Sequence, residues 1–180
     1  MQYPAYILHV TNLRSILHIL LREQQMDQYN SPEFNSLVEI SRLANTLQIV
    51  MDMEIDDITS RQWLPLMILG RCEDSPNLNQ LAEKCGITRQ STKQLVDKLV
   101  EKGYVTLEKS DADKRNMLIV ITNKGRNWGA NNLKKNMKFV SELYSDIPER
   151  DIKIFAKVQQ KLINKLEHIK KELKDQNDHE

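Results

Sequence analysis

Residues 77–107 read NLNQLAEKCGITRQSTKQLVDKLVEKGYVTL, and this stretch decides the fold. Asn77 is suited to cap a short helix that stops at Gly86, and Thr88 is suited to cap a second helix that stops at Gly103. Two helices joined by a tight turn are therefore predicted. The apolar residues of the second helix recur at helical spacing: Leu95, Val96, Leu99 and Val100.

A strand pattern follows these two helices. Residues 104–108 alternate in polarity, residues 117–121 are apolar and β-branched, and a polar segment, 109–116, separates them. This pattern predicts a β-hairpin with an extended tip. Helix, turn, helix and hairpin is the order of a winged helix-turn-helix, so we expect a mainly α fold with a small β-hairpin wing.

Amphipathic helices are predicted before this lobe. Apolar residues at three- and four-residue spacing indicate helices over residues 6–27 and 32–51. Thr59 and Gln62 form a capping box that opens a third helix, which Pro65 is expected to bend.

Two further helices are predicted after the lobe. Thr122 is suited to cap the first, whose inner stripe is Trp128, Leu133, Met137, Val140 and Tyr144. Pro148 begins the second, whose apolar residues approach a heptad seam: Ile152, Phe155, Val158, Leu162, Leu166, Ile169 and Leu173. We therefore expect helical segments in residues 1–56 and 126–180 on either side of a winged helix-turn-helix lobe, residues 57–125, and the seam favours dimerisation through the C-terminal segment.

Charge is unevenly distributed along the chain. The 180 residues hold 26 bases and 25 acids, for a net charge of +1. Residues 23–57 hold eight acids against one base, whereas residues 84–126 hold ten bases against five acids, a local balance of +5. A DNA-binding surface needs local positive charge, which this second segment supplies.

The second helix of the pair has side chains suited to reading bases. With Thr92 and Leu95 turned inward, polar residues occupy the outer face of its N-terminal half, where Arg can pair with guanine and Gln with adenine. An ordinary solvated helix face is the alternative. The predicted major-groove residues are Thr88, Arg89, Gln90, Ser91, Lys93 and Gln94.

The hairpin tip has an acid two residues before an arginine. The Asp113 carboxylate can orient Arg115 for insertion into a narrow minor groove, where the potential is most negative. A charged loop that only maintains solubility is the alternative. The predicted wing residues are Asp113, Lys114, Arg115 and Asn116, and the predicted phosphate-binding residues are Lys98, Lys102, Lys109 and Lys124.

Several of these segments together resemble the MarR family of bacterial winged-helix transcriptional regulators, over roughly residues 33–174. The resemblance implies a homodimer that is joined by the helices of residues 1–56 and 126–180 and binds a palindromic operator through the lobe of residues 57–125. Such a dimer is often released by a phenolic or other small ligand, a metal or oxidation. The chain departs from the family pattern at Asp111, where proline is usual, and at Lys114, where arginine is common. The matching segments are Thr59 to Trp63, Leu81-Ala82, Gly86 to Val105, Asp113 to Arg115, Leu118 to Thr122 and Lys124-Gly125.

Other kinds of site lack a sequence signal. We see no glycine-rich phosphate loop, nucleophile elbow or zinc-protease helix, so no enzyme activity and no cofactor are predicted. The four histidines are scattered without ligand spacing, which argues against a metal site. Cys72 and Cys85 are expected to be free thiols, with Cys85 a core residue rather than a redox sensor.

The apolar run near the N-terminus, residues 7–21, is interrupted by polar residues and suits neither a signal peptide nor a membrane span. We therefore expect a cytoplasmic protein.

The main hypothesis is a dimeric, sequence-specific DNA-binding regulator, a repressor by default, with a small-molecule effector. One alternative is a winged-helix module that binds a partner protein and for which the basic surface is incidental. Another is a ligand-binding sensor whose altered wing has weakened its affinity for DNA.

Overall fold

The computed structural model describes residues 29, 31–110 and 114–177. A mainly helical chain with one two-stranded antiparallel sheet confirms the predicted winged helix-turn-helix. The helix predicted over residues 6–27 lies outside the described residues. The elements are α1 (Pro32–Glu54), α2 (Ser60–Leu69), α3 (Leu78–Cys85), α4 (Arg89–Glu101), β1 (Val105–Lys109), β2 (Met117–Ile121), α5 (Asn123–Leu143) and α6 (Glu149–Asn177).

Side-chain caps set where the helices begin. The capping box of α2 is complete: the Gln62 amide donates to Thr59 Oγ1 at 3.3 Å, and the Thr59 amide donates to Gln62 Oε1 at 3.1 Å. Asn77 caps α3 in the same reciprocal way with Gln80, a partner that the sequence analysis did not identify. These bonds satisfy amides that have no partner inside the helix, so local sequence is enough to fix these boundaries.

The two predicted glycine stops adopt the left-handed conformation. Gly86 has φ 67° and ends α3, and Gly103 has φ 74° between α4 and the wing. A residue with a side chain is strained in this region, so glycine allows both sharp changes of direction.

The wing is a regular hairpin whose register pairs Val105 with Ile121 and Leu107 with Ile119. The predicted tip is one residue too long, because Lys109 is the last residue of β1, opposite Met117. The Ile119 amide donates to the Pro76 carbonyl at 2.9 Å, which fixes β2 to the segment before α3.

A single core lies beneath α4 and the wing. Within α4, Thr92, Val96 and Leu99 are buried, whereas Leu95 is only half-buried and Val100 is 36% exposed. Successive residues are rotated by about 100° around the helix axis, so Leu95 and Val100 lie some 70° to either side of the row of buried residues. The apolar core residues of the lobe are Ile58, Leu66, Leu69, Leu81, Ala82, Val96, Leu99, Tyr104, Val105, Ile119 and Ile121.

The long helix α1 has no buried residue. It is fixed to the lobe by polar contacts: the Ser60 amide donates to Asp52 Oδ1 at 2.5 Å, and Arg61 Nε donates to Gln48 Oε1 at 3.4 Å. The apolar side of α1 therefore lies on the surface of the protomer. Its exposed apolar residues are Phe34, Leu37, Val38, Ile40, Leu43, Ile49, Val50 and Met53.

The chain divides into two compact units at residues 126 and 127. In the second unit Trp128 is buried, but the rest of the predicted inner stripe of α5 is not: Leu133, Met137 and Val140 are exposed, and Tyr144 is half-buried. This prediction is therefore wrong for a single protomer, since amphipathic spacing shows which face of a helix is apolar but not what covers it. Among the described helices, none is both long and apolar enough to cross a membrane.

Candidate nucleic-acid interface

Three hydroxyl groups fix the start of α4. Thr88 Oγ1 accepts from the Ser91 amide at 3.1 Å and donates to Ser91 Oγ at 2.9 Å. The fully buried Thr92 donates its hydroxyl to the Thr88 carbonyl at 2.9 Å. Thr88 and Ser91, which are predicted to contact DNA, thus also form the N-cap, and Thr92 fixes the orientation of the helix on the lobe.

The outer face of the first half of α4 is polar and cationic. Arg89, Gln90, Lys93 and Gln94 are all exposed. The first turn holds Arg89 and no acid. Because the positive end of the helix dipole lies there, a base costs about 0.3–1 kcal/mol of helix stability, whereas an anion is attracted. This arrangement is unfavourable for an isolated helix and suits a polyanion.

One ion pair on this face was missed in the sequence analysis. Lys93 Nζ lies 2.6 Å from Asp97 Oδ2, and both side chains are more than half exposed. The signal was present in the sequence, because residues four apart are neighbours on a helix surface.

The described part of the wing tip is exposed. The Ser110 amide donates to the Asn116 carbonyl at 2.9 Å and closes the hairpin beyond its strands. Lys114, Arg115 and Asn116 are exposed. Asp113 lies outside the described residues, so its role in orienting Arg115 stays a prediction.

The four predicted phosphate-binding lysines fall into two pairs. Lys98 and Lys109 are exposed on α4 and at the end of β1. Lys102 donates to the Asp57 carbonyl, and Lys124 Nζ donates to the Lys102 carbonyl at 2.7 Å. An ammonium group has three donors, so the second pair can fix the fold and still reach a phosphate.

The base of the wing is tied to the start of α5. The Thr122 hydroxyl donates to the Gly103 carbonyl at 2.8 Å and accepts from the Gly125 amide at 3.1 Å. Lys124 Nζ lies 4.7 Å from the centroid of the Tyr104 ring. These contacts fix the hairpin to the end of α4. The bond from the Gly125 amide confirms the predicted cap at Thr122, whereas the contacts to Gly103 and Tyr104 were not predicted, because they join residues distant in sequence.

Both cysteines are free and half-buried. Burial, and to a lesser extent the nearby Cys72, raises the pKa of the Cys85 thiol to about 11. The thiolate is the reactive form, so Cys85 is a poor nucleophile at neutral pH.

Comparison with known proteins identifies the lobe. Residues 56–116 match the MarR family. That range includes the α2 capping box, both helices of the helix-turn-helix and the hairpin through Asn116. No curated protein sequence matches the chain.

Solved structures share the fold over most of the chain. A MarR/EmrR family transcriptional regulator from Acinetobacter sp. ADP1 is 19% identical and has a TM-score of 0.69, covering 77% of this chain and 99% of its own. A MarR transcriptional regulator from Methanosarcina mazei Go1 is 28% identical, with a TM-score of 0.64 and coverage of 75% and 98%.

CouR from Rhodococcus jostii RHA1, solved bound to p-coumaroyl-CoA, is 20% identical, has a TM-score of 0.62 and covers 69% of this chain and 88% of its own. The sequence match lies in the lobe, and the structural likeness extends over the flanking helices. The lobe therefore matches the MarR family over residues 56–116, and the chain has the winged-helix fold of that family's transcriptional regulators.

Proposed function

We propose that this protein is a homodimeric transcriptional regulator that places α4 in the major groove of a palindromic operator and the wing in the adjacent minor groove. The observation that supports this most strongly is the N-terminal half of α4. It presents Arg89, Gln90, Lys93 and Gln94 to solvent, has no acid in its first turn and is fixed from beneath by the buried Thr92.

The residue types match the chemistry of base edges. Arg89 can donate two hydrogen bonds to guanine O6 and N7, and the amide of Gln90 or Gln94 can pair with adenine N6 and N7. At the tip, Arg115 supplies the cation that a narrow minor groove attracts. Lys98 and Lys109 have exposed ammonium groups for phosphates, which set the position of the protein without reading sequence.

A second copy of the chain accounts for the exposed apolar faces. The seam of α6 is uncovered in one protomer, with Leu162 42% and Leu166 63% exposed. Its near-heptad spacing is typical of a helix that packs against another helix. A two-fold dimer reads two inverted half-sites about 10 base pairs apart, which is why the operator is a palindrome.

Repression by occupying a promoter is the default mode of such a dimer, and release by a small-molecule effector is the second part of the proposal. Trp63 is half-buried as a residue, but its indole Nε1 is fully buried and has no hydrogen-bond partner within the described parts of the chain. A ligand that brings an acceptor to this atom would satisfy the donor. If Trp63 contacts an effector, Trp63→Phe keeps operator affinity and abolishes release by that compound. Unchanged release removes Trp63 from the effector site.

The direct test is selection of random duplex DNA by the full-length protein at two salt concentrations, followed by sequencing. We expect enrichment of a palindrome, with affinity that falls steeply with salt because each phosphate contact contributes about −0.9 to the logarithmic slope. Arg115→Ala should weaken binding to the enriched duplex.

Arg42→Ala is the matched control, since it removes an exposed cation from α1, outside the proposed interface. Equal losses for both variants would show a nonspecific charge effect and overturn the wing assignment. Enrichment of no sequence at either salt would overturn the proposed function and favour a module that binds a partner protein.

A further inference from the structure

We propose that Lys93 and Asp97 act as one unit that reads a G·C base pair, in which Asp97 is the specificity-determining acceptor for cytosine. This inference rests on the proposed binding of α4 in the major groove. It assigns a function to an acid that a phosphate-binding surface alone would not require.

The distance between the two charged atoms of the ion pair is close to the distance between the two base atoms that they would contact. Lys93 Nζ and Asp97 Oδ2 lie 2.6 Å apart, and their side chains are 62% and 52% exposed. In the major groove, guanine O6 and cytosine N4 are hydrogen-bonded to each other, at the roughly 2.9 Å typical of such bonds. A donor and an acceptor at this separation can therefore contact both edges of the same base pair.

The chemistry of the two groups selects the orientation of the pair. The ammonium of Lys93 needs an acceptor, and guanine offers two, O6 and N7. The carboxylate of Asp97 needs a donor, and cytosine offers the N4 amino group. Reversing the base pair would place the ammonium against a donor and the carboxylate against acceptors, so a C·G pair at this position is rejected.

Helix stability does not explain the pair. An acid followed four residues later by a base is the more favourable order in a helix, and here the base comes first.

The carboxylate also affects binding to unrelated DNA. Asp97 offsets the positive charge of Lys93, so a phosphate is attracted less strongly to the paired ammonium, and the carboxylate itself repels the DNA backbone. Nonspecific complexes therefore lose one phosphate contact, whereas the cognate G·C pair satisfies both groups. Asp97 thus increases discrimination by weakening the competing complexes.

The test compares wild type with Asp97→Asn and with Glu101→Gln. Glu101 lies one turn further along the same face of α4, so the control removes the same charge. Each protein first selects from a random duplex library. Its affinity is then measured for the enriched duplex, for the duplex with the G·C pair of each half-site reversed, and for mixed-sequence DNA at two salt concentrations.

We expect wild type to prefer the unreversed duplex by at least tenfold, and Asp97→Asn to reduce that preference to within about twofold. On mixed-sequence DNA, Asp97→Asn should steepen the logarithmic salt slope by about one, because Lys93 becomes available to a phosphate. That change should disappear in a Lys93→Met background. Glu101→Gln should raise all affinities by a similar factor.

Identical behaviour of Asp97→Asn and Glu101→Gln, or a wild-type motif without a G·C requirement, would overturn this inference and leave the proposed function intact. A wild-type protein that binds no duplex would overturn both. Asp97→Ala serves as a second variant, because alanine has a higher helix propensity than aspartate and therefore does not weaken α4. It should show the same loss of preference for the unreversed duplex.

Discussion

Gly125 lies directly against the Tyr104 carbonyl. A Cβ at position 125 would overlap that oxygen and lie 2.8 Å from Ile121 Cγ1, at the point where α5 begins beside the base of the wing. The missing side chain therefore allows the first turn of α5 to pack on the hairpin that it follows.

Gly125→Ala is expected to destabilise the protein by about 3 kcal/mol, at the upper end of overpacking costs, because backbone and a buried side chain must move. Urea unfolding measures this change. Gly70→Ala is the matched control: its nearest neighbours would lie at 3.6–4.0 Å and its φ is −65°, so a change within about 0.5 kcal/mol is expected. Equal effects of the two variants would contradict the contact.

Gly86→Ala tests backbone conformation without a clash. A Cβ at this position would meet nothing within 4 Å, but φ is 67°. We expect a loss of about 1–2 kcal/mol in the free energy of unfolding. Gly86→Asn should recover part of it, since asparagine tolerates the left-handed region. If alanine and asparagine cost the same, the left-handed turn is not the cause.

Lys124→Met should destabilise the lobe by about 1 kcal/mol, because it removes the hydrogen bond to the Lys102 carbonyl and the ammonium above the Tyr104 ring. Lys98→Met, which removes an exposed cation from the last turn of α4, should cost only about 0.3 kcal/mol. Both should weaken binding to duplex DNA. Equal stability of the two variants would show that the contacts of Lys124 are not stabilising.

Leu162→Glu should convert the proposed dimer to monomers, because it places a carboxylate on the apolar seam of α6. Sedimentation equilibrium measures the result. Gln160→Glu adds the same charge at an exposed position about 160° around the helix from Leu162 and should leave the dimer intact. A Leu162→Glu protein that stays dimeric would remove the α6 seam from the interface.

Cys85 should react slowly with iodoacetamide at pH 7.5 in the native protein and much faster in urea. Its thiol pKa is raised from 9.0 to about 11 by burial, with a smaller effect of Cys72. Labelling followed by peptide mapping measures both rates. Equal rates in native and unfolded protein would contradict the burial.

The same pKa shift sets a direction for stability. The folded state retains the Cys85 proton to a higher pH than the unfolded state does. The contribution of this proton to the free energy of unfolding is therefore fully present below pH 9 and is lost as the pH rises through about 11. Burial, and secondarily Asp57, also raise the pKa of Tyr104. Wild type and Cys85→Ala should therefore be compared across this window, and wild type should lose more stability.

The order of elements could be predicted because its signals are local. Thr59, Asn77 and Thr88 each accept from amides two or three residues away, and Gly86 ends α3 by its own conformation. Such bonds form within one turn of helix, so they are encoded in a few consecutive residues. The Lys93–Asp97 pair has the same local origin and could have been predicted.

Contacts across the chain could not be predicted in this way. Lys102 reaches the carbonyl of Asp57, 45 residues earlier, and Lys124 reaches that of Lys102, 22 residues earlier. Side-chain identity shows that an ammonium group can donate, but not which carbonyl will lie within its reach.

Sequence alone thus determined the helix-turn-helix, the hairpin and the polar face of α4, because capping, periodicity and strand alternation act over a few residues. Only the tertiary structure decided that Thr92 lies fully buried beneath that face, that Lys102 and Lys124 anchor the lobe, and that the apolar stripes of α1, α5 and α6 lie on the protomer surface. Burial and long-range hydrogen bonds depend on which segments meet when the chain packs, and a one-dimensional pattern does not contain that information.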